Sequence, residues 1–530
     1  MPDAAIIEAG LPEWRRDLNR FCENWIFAFV VAFAIRHFCL ELFRIPSASM
    51  EPMLYGDPGL FKGDFVVVDK LTQRFKPIQR WDVAVFQYPV PEVESARGER
   101  ARPAITADGA RLDNPLFRPL LGGNFVKRAV VLPGEEFYLQ GGDLFVRGAD
   151  QAWTVARKPA ALQEVLWLPV YRSGAQPGYR PWAGLPAAGQ PEDGLAAELG
   201  DGAALTFTQP LRNLYLKPGA VAVRPQGSAD PWVRLDDVAM TRPQFAYGER
   251  TGCLWDLEHW EVKRLTSADE DDPTRKGRPL NELMTEWTGD LRVSFRVGQV
   301  TGSPRLRLSN RALGALADSR AIDLVLAASG WKVLAPGVAV DGNQTLVGKQ
   351  VTFSQVDGQV VLTIDGSEVL RREIAWTDPN HERPGLSWQG PGRIEVSALA
   401  VDRDLHWCRK GFLVENREAA SLDDYVARIR EGERDAERID SAANNVRLTR
   451  TVRAELLGKA EEDLTRAEAV RAYGSGPDNP ARAPADGYLM LGDNSPLSLD
   501  GREWGFVPAL NMRGRALLVI FPPTRWRVIR

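Results

Sequence analysis

Pro46-Ser47-Ala48-Ser49-Met50-Glu51-Pro52 decides how this chain is read, because it makes sense only beside a distant second stretch, Asn124-Phe125-Val126-Lys127-Arg128. The first places serines just past an apolar run; the second places a lysine among apolar residues. Serine is a poor nucleophile at its ordinary pKa and needs an adjacent base. His37, His259, His381 and His406 are the chain's histidines, and none is convincingly placed for that work. A lysine can serve where burial lowers its pKa from about 10.4 towards neutrality, at about 1.4 kcal/mol for each tenfold change in its protonation equilibrium. Phe125 and Val126 before Lys127, and Ala129 to Leu132 after Arg128, are desolvating company of that kind. Ser49 is the candidate nucleophile and Lys127 the candidate base.

Four blocks then occur in a fixed order. They are Phe43-Arg44-Ile45-Pro46-Ser47-Ala48-Ser49-Met50, Arg80-Trp81-Asp82-Val83-Ala84-Val85-Phe86, Lys127-Arg128-Ala129-Val130-Val131-Leu132-Pro133-Gly134-Glu135, and Gly492-Asp493-Asn494-Ser495-Pro496-Leu497-Ser498-Leu499-Asp500-Gly501-Arg502. Through them the chain resembles the type I signal peptidases, over about residues 24–150 and 484–530. It departs from that family's pattern at Trp81 (usually glycine), Met53 (usually threonine) and Gly501 (usually serine). The resemblance implies a Ser49–Lys127 dyad. It further implies that Ser47 donates its hydroxyl to the developing oxyanion beside the N–H of Ser49, and that Ser498 orients Lys127. Asp500 and Arg502 are expected to form a supporting ion pair. Phe43, Ile45, Met50, Leu54, Phe125 and Val126 would line two shallow apolar pockets that accept small side chains. The implied activity is removal of signal peptides from exported preproteins after Ala-x-Ala-like sites, with no cofactor and no metal. The expected surroundings are the lipid bilayer of the plasma (inner) membrane and the secretion translocon.

The N-terminal apolar segment has two readings. Trp25 to Ile35 is uninterrupted, whereas Arg36, His37 and Glu41 break its continuation to Phe43. A helix from Trp25 to Phe43 would reach about 28 Å, close to the roughly 30 Å hydrocarbon core. The flanking Arg15, Arg16 and Arg20, against Arg44 and Lys62, lean weakly towards a cytoplasmic N-terminus. A cleavable signal peptide is the rival, with Ser47 and Ser49 small enough for a cleavage site. A cleaved leader has no reason to be accompanied by the lysine and terminal blocks. The expectation is a single retained transmembrane helix with the catalytic domain on the extracytoplasmic side.

Beyond that helix the expected fold class is mainly β. Phe65–Val68, Val83–Phe86, Asn124–Leu132, Tyr488–Leu491 and Ala516–Phe521 are short β-branched and aromatic runs, and Gln140-Gly141-Gly142-Asp143 reads as a hairpin turn. The domains expected are 1–44 (N-terminus and anchor), 45–150 and 484–530 (the two parts of a catalytic domain), 151–412 (an inserted sandwich) and 413–483 (a helical segment and linker). The clearest sign of the insertion is Val351–Val356 and Gln359–Ile364 flanking Asp357-Gly358, followed at once by Asp365-Gly366. Its strand rhythm resembles a concanavalin- or laminin-G-like sandwich. Its tryptophans could stack on carbohydrate or serve as core, and its ligand, sugar or protein, is unknown. Residues 421–472, with Ser421 as N-cap, read as a solvated helical arm.

At 530 residues the chain suggests two or three domains. With 66 basic and 70 acidic side chains it has no footprint for nucleic acid. Four cysteines are too few for a disulfide scaffold; Cys253 and Cys408 could pair or stay as isolated thiols. From a different function class comes a membrane-anchored scaffold whose sandwich binds carbohydrate or a partner and whose peptidase is idle. Ser47, Ser49, Lys127 and Ser498 occurring together argue against it.

Overall fold

The structure, a computed structural model, describes most of residues 13–87, 124–208, 288–374, 382–407 and 474–529, with short pieces of 211–264. The helical arm expected at 421–472 and the pair Cys253 and Cys408 lie outside the described residues.

The mainly β expectation holds. A mixed-order antiparallel sheet carries the four sequence blocks, starting with β1 (Leu40–Arg44), β2 (Phe65–Asp69), β3 (Val83–Gln87) and β4 (Asn124–Val131). Strand Met512–Phe521 lies between β2 and β3, and strand Gly487–Leu491 lies on the far side of β4. The sheet is therefore incomplete until residues on both sides of the insertion meet. Alternation sends Val83, Val85, Val130, Leu489 and Leu491 into one core. Ala84, Phe86, Ala129 and Met490 enter a second cluster on the opposite face. The hairpin of β5 (Glu136–Gln140) and β6 (Asp143–Arg147) turns on Gly141 and Gly142, both at positive φ, where only a residue without Cβ sits unstrained.

The insertion is built from two seven-stranded sheets enclosing a single large core. Strands Gln350–Val356, Gln359–Ile364 and Ser367–Glu373 are joined by the two Asp-Gly turns, with Val356 opposite Gln359 and Ile364 opposite Ser367. All four turn residues have positive φ, as a primed two-residue hairpin turn demands. Among the insertion's described tryptophans, Trp182, Trp331, Trp388 and Trp407 are buried, so they serve as core.

Two expectations need revision. A single helix over Trp25–Phe43 does not form. The α-helix spans Glu13–Ala34, a π-helical turn follows over Ile35–Cys39, and Leu40–Arg44 is already strand. The sheet claims those last residues because Leu40-Glu41-Leu42-Phe43-Arg44 alternates. Phe43 packs on the core, Leu42 faces outward opposite Val67, and Glu41 pairs with Lys70 at 2.9 Å. The helix's first turns carry Glu13, Arg15, Arg16, Asp17, Arg20 and Glu23. Among the described residues no helix is long and apolar enough to cross a membrane, so nothing there supports the expected single-pass anchor or its topology. The helix nonetheless bares Trp25, Phe27, Phe29 and Phe33, each at least half exposed.

The second concerns the boundary at 150/151, which runs through a packed core. Leu162, Leu166, Leu168, Leu405 and Trp407 share the cluster of Val83, Val130 and Phe137. The Trp81 indole stacks on that of Trp407 with centroids 5.7 Å apart. Beside them is a charged joint. Lys158 Nζ lies 2.7 Å from Asp357 Oδ1 and 2.8 Å from Asp404 Oδ2, and Asp357 N–H donates to Asp290 Oδ2. Burial, then the facing carboxylates Asp357 and Asp404, pushes Asp290 up to about 7. Burial, then Asp290 and Asp357, holds Asp143 well above the carboxylate range. Burial alone would lower Lys158, but Asp404, Asp357 and Asp143 hold it above its ordinary value.

Two outcomes are expected. Replacing 152–483 by a Gly/Ser linker removes five large apolar side chains at about 1.5–3 kcal/mol each, comparable with a domain's whole stability. Thermal melts followed by circular dichroism should then show no cooperative transition, whereas a version keeping 152–172 and 403–483 should melt cooperatively. Asp143, Asp290 and Asp404, whose folded pKa values lie above the unfolded 3.8, contribute stability that is fully present below about pH 4 and, for Asp290, is lost as pH rises through about 7. In chelator, the urea midpoint should thus fall between pH 5 and pH 8.5, and Asp290→Asn should shrink that fall. Equal midpoints for the unaltered chain would contradict the assignment.

Candidate active site

The site is assembled from three separate pieces of chain. β1 delivers the chain to Ile45, whose N–H donates to Asp64 O at 2.9 Å, and a short 3-10 turn, Ala48–Met50, follows. That turn buries Ser49 and leaves Ser47 exposed. Gly56 backs it so closely that a Cβ would lie 1.8 Å from Ser47 O. β4 carries Lys127, paired with Ala84 of β3 and only 3 % exposed. Lys127 Nζ donates to Ser49 Oγ at 2.5 Å across 78 positions of sequence, and Ser47 Oγ lies 3.3 Å from Ser49 Oγ.

The terminal block closes the site from behind. Asn494 N–H donates to Ser49 O at 3.0 Å, and its Nδ2 donates to Ala48 O at 3.2 Å. Ser498 is fully buried, its hydroxyl packed on Gly492 beside Ser49 O. Asp500 and Arg502, also fully buried, form the expected ion pair, Arg502 Nε and Nη2 donating to Asp500 at 2.8 and 2.6 Å. The same carboxylate accepts from Gly492 N–H at 2.9 Å, so the pair shapes the loop bearing Ser498. Next to Lys127, Arg128 donates two bonds to Asp493, at 2.8 and 2.6 Å, and one to Trp81 O at 2.7 Å.

The candidate pocket residues divide. Phe43, Phe125 and Val126 are partly exposed, whereas Ile45, Met50 and Leu54 are core. Phe125 packs with the Ala84 and Phe86 cluster and Val126 with the Val85 and Val130 cluster, on opposite faces of the sheet. The three departures from the family pattern have local causes or consequences. Trp81 holds φ 76° in the left-handed region, where glycine is the unstrained choice, and its indole is retained by the Trp407 stack. A Cβ on Gly501 would come within 2.7 Å of Leu489 Cδ1 and 3.1 Å of Met490 O, so a serine there would require the Leu489 side chain to shift. Met53 is simply buried in the core.

Sequence reasoning assigned no part to Asn494, although it stands in the terminal block. It also missed the Arg128–Asp493 pair, whose signal was a charge in each of two blocks. Among the described residues, a group within metal-ligand reach is Asp143, Asp290 and Asp357, with ligand oxygens within 4.8 Å of one another. That group belongs to the joint. A cleft of about 620 Å³ beside Trp331, Lys332, Asp341 and Asn343 lies on the sandwich.

A serine hydroxyl bonded to a buried lysine on an antiparallel sheet is the arrangement of serine–lysine hydrolases. Residues 18–167 and 435–521 match the model of the signal peptidase family, peptidase S26, so over those stretches the chain is similar to that family. It is 46% identical over 46 residues to signal peptidase I of Leptolyngbya laminosa, covering 9% of this chain and 23% of that one. It is 38% identical over 85 residues to a probable signal peptidase I of Mycobacterium leprae, covering 16% and 29%. The chain thus spans about a quarter of the length of these curated relatives. The alginate lyase AlyA1 of Zobellia galactanivorans (15% identity, TM-score 0.17, 22% of this chain and 64% of that one) and sheep galectin-11 (9%, TM-score 0.17, 22% and 90%) are distant structural likenesses, and scores this low carry no argument.

Gly492 supplies the test of this packing. A Cβ there would sit 2.1 Å from Ser498 Oγ and 2.5 Å from Ser49 O. Gly492→Ala should cost about 1–3 kcal/mol of stability by overpacking, read as a lower urea midpoint.

Proposed function

We propose that this chain is a serine endopeptidase of the signal peptidase I type, removing signal peptides from exported preproteins after small residues. The observation that carries the reading is the 2.5 Å bond between Lys127 Nζ and Ser49 Oγ, with Ser47 Oγ 3.3 Å from the same oxygen. The lysine must first release a proton; its neutral amine then takes the Ser49 hydroxyl proton as Oγ attacks the scissile carbonyl. The tetrahedral oxyanion accepts from the Ser49 N–H and the Ser47 hydroxyl. Lys127 returns the proton to the leaving amine, and the acyl–Ser49 ester remains. Water, deprotonated by Lys127, attacks that ester and regenerates Ser49. Ser498 orients Lys127, and Asp500 with Arg502 holds its loop.

The substrate would bind extended against a sheet edge, where main-chain bonds supply affinity and side-chain pockets supply selection. β1 is an edge strand and runs directly into the Ser49 turn, which supports that placement. Phe43, Phe125 and Val126 are the partly exposed residues available to shape the pockets. The exposed apolar helix favours work at a lipid surface, since water is a poor neighbour for Trp25, Phe27 and Phe29.

Cleavage of a preprotein in detergent tests the reading. Ser49→Ala and Lys127→Ala should lower kcat at least about a thousandfold with the melting temperature nearly unchanged. Lys127→Arg should fail equally, because a guanidinium does not give up its proton near neutral pH. Ser47→Ala should cost about a hundredfold or more as one oxyanion donor is lost. Full activity in Lys127→Arg would remove the lysine from the mechanism.

A further inference from the structure

Among the described residues of the insertion, Tyr215 bonds to Asn494, which in turn holds the nucleophile turn. Tyr215 is 3 % exposed, and its backbone O accepts a bond from Asn494 Nδ2 at 3.1 Å. The same nitrogen donates to Ala48 O, the carbonyl immediately before Ser49, at 3.2 Å. A side-chain amide nitrogen carries two hydrogens, and both are now committed, one to the insertion and one to the turn. The orientation is dictated by the acceptors, since a flipped amide would aim its oxygen at two carbonyl oxygens. Asn494 is 1 % exposed, so no water competes readily for these bonds.

Tyr215 is itself anchored at its other end. Its hydroxyl is bonded to that of Tyr55 at 2.8 Å. Tyr55 N–H donates to Asp64 Oδ2 at 2.8 Å, and the Arg525 guanidinium, paired with Asp64, lies 3.5 Å from the Tyr55 ring centroid. The insertion is thus tied to the catalytic sheet on two sides of the turn, through a hydroxyl and through a backbone carbonyl.

We propose that Tyr215 is a positioning residue for Ser49, acting through Asn494, so that the insertion is a working part of the peptidase rather than a passenger on it. This rests on the Ser49–Lys127 reading. The nucleophile must stay within hydrogen-bond reach of Lys127, and misplacement by about 1 Å costs on the order of a hundredfold in rate. Releasing Tyr215 frees one side of the Asn494 amide and lets the turn drift. The effect falls on the chemical step, because Tyr215 touches the turn's support and not the substrate.

The experiment uses the full chain with a peptide bearing an Ala-x-Ala site. Tyr215→Ala should lower kcat about tenfold or more with KM within about twofold. Tyr215→Phe, which keeps the ring and loses only the Tyr55 bond, should fall between it and the unaltered chain. Adding Tyr215→Ala to Asn494→Ala should cause little further loss, because both act on one route. Losses that multiply, or an unchanged kcat in Tyr215→Ala, would overturn the proposal. Amide exchange gives a readout that needs no activity. The N–H groups of Glu51 and Asn494, which donate to Ala48 O and Ser49 O, should exchange faster in both Tyr215 variants while β-sheet amides do not. Unchanged exchange at those two amides would equally overturn it. If the unaltered chain shows no Ser49-dependent cleavage, the functional reading fails, and the exchange measurement still decides the tie.

Discussion

Arg128 and Asp493 hold the site together. Both are sealed from water, and their two parallel bonds join β4 to the terminal block. Removing one partner of such a buried pair typically costs about 3–5 kcal/mol, because the other charge is left without compensation. The pair's position explains why it cannot be spared. Arg128 directly follows Lys127, and Asp493 directly precedes Asn494, which holds the Ser49 turn. One ion pair therefore fixes Lys127 and the support of the Ser49 turn in a common frame, and its third bond reaches Trp81 O at the joint with the insertion.

Much of this was legible in the sequence, for reasons that are local. The two Asp-Gly turns and the Gly141-Gly142 hairpin were readable because their left-handed backbone requires those residue types. The serine and lysine were readable because a buried lysine needs apolar neighbours in the chain itself. Leu40–Arg44 was misread because helix and strand both accept so short an apolar stretch, and only pairing with Phe65–Asp69 decides it. The boundary at 151 was misplaced for a similar reason. Nothing in Leu162, Leu166 or Trp407 taken singly says which of two cores each will enter.

The site's long-range geometry was the least legible. Tyr215 sits in a proline- and glycine-bearing stretch without periodicity, and its contact with Asn494 spans 279 positions. Contacts made by a backbone carbonyl leave no trace in residue type. Pocket residues were hard to assign because an apolar side chain beside a nucleophile can serve equally as wall or as core, as Met50 and Leu54 do.

The placement of Met512–Phe521 between β2 and β3 has a consequence for the order in which the molecule is made. A ribosome adding about 5–20 residues each second needs roughly 20–85 seconds to travel from the end of β3 to the start of that strand. Throughout that interval β2 and β3 each present an edge that has no partner yet, while the whole sandwich emerges and can close on its own core. Unpaired edges recruit other strands, so a nascent chain of this design depends on shielding until that strand arrives. The same delay keeps Gly492 to Arg502 away from Ser49 and Lys127. The growing chain carries Ser49 and Lys127 before it carries the frame that brings them together.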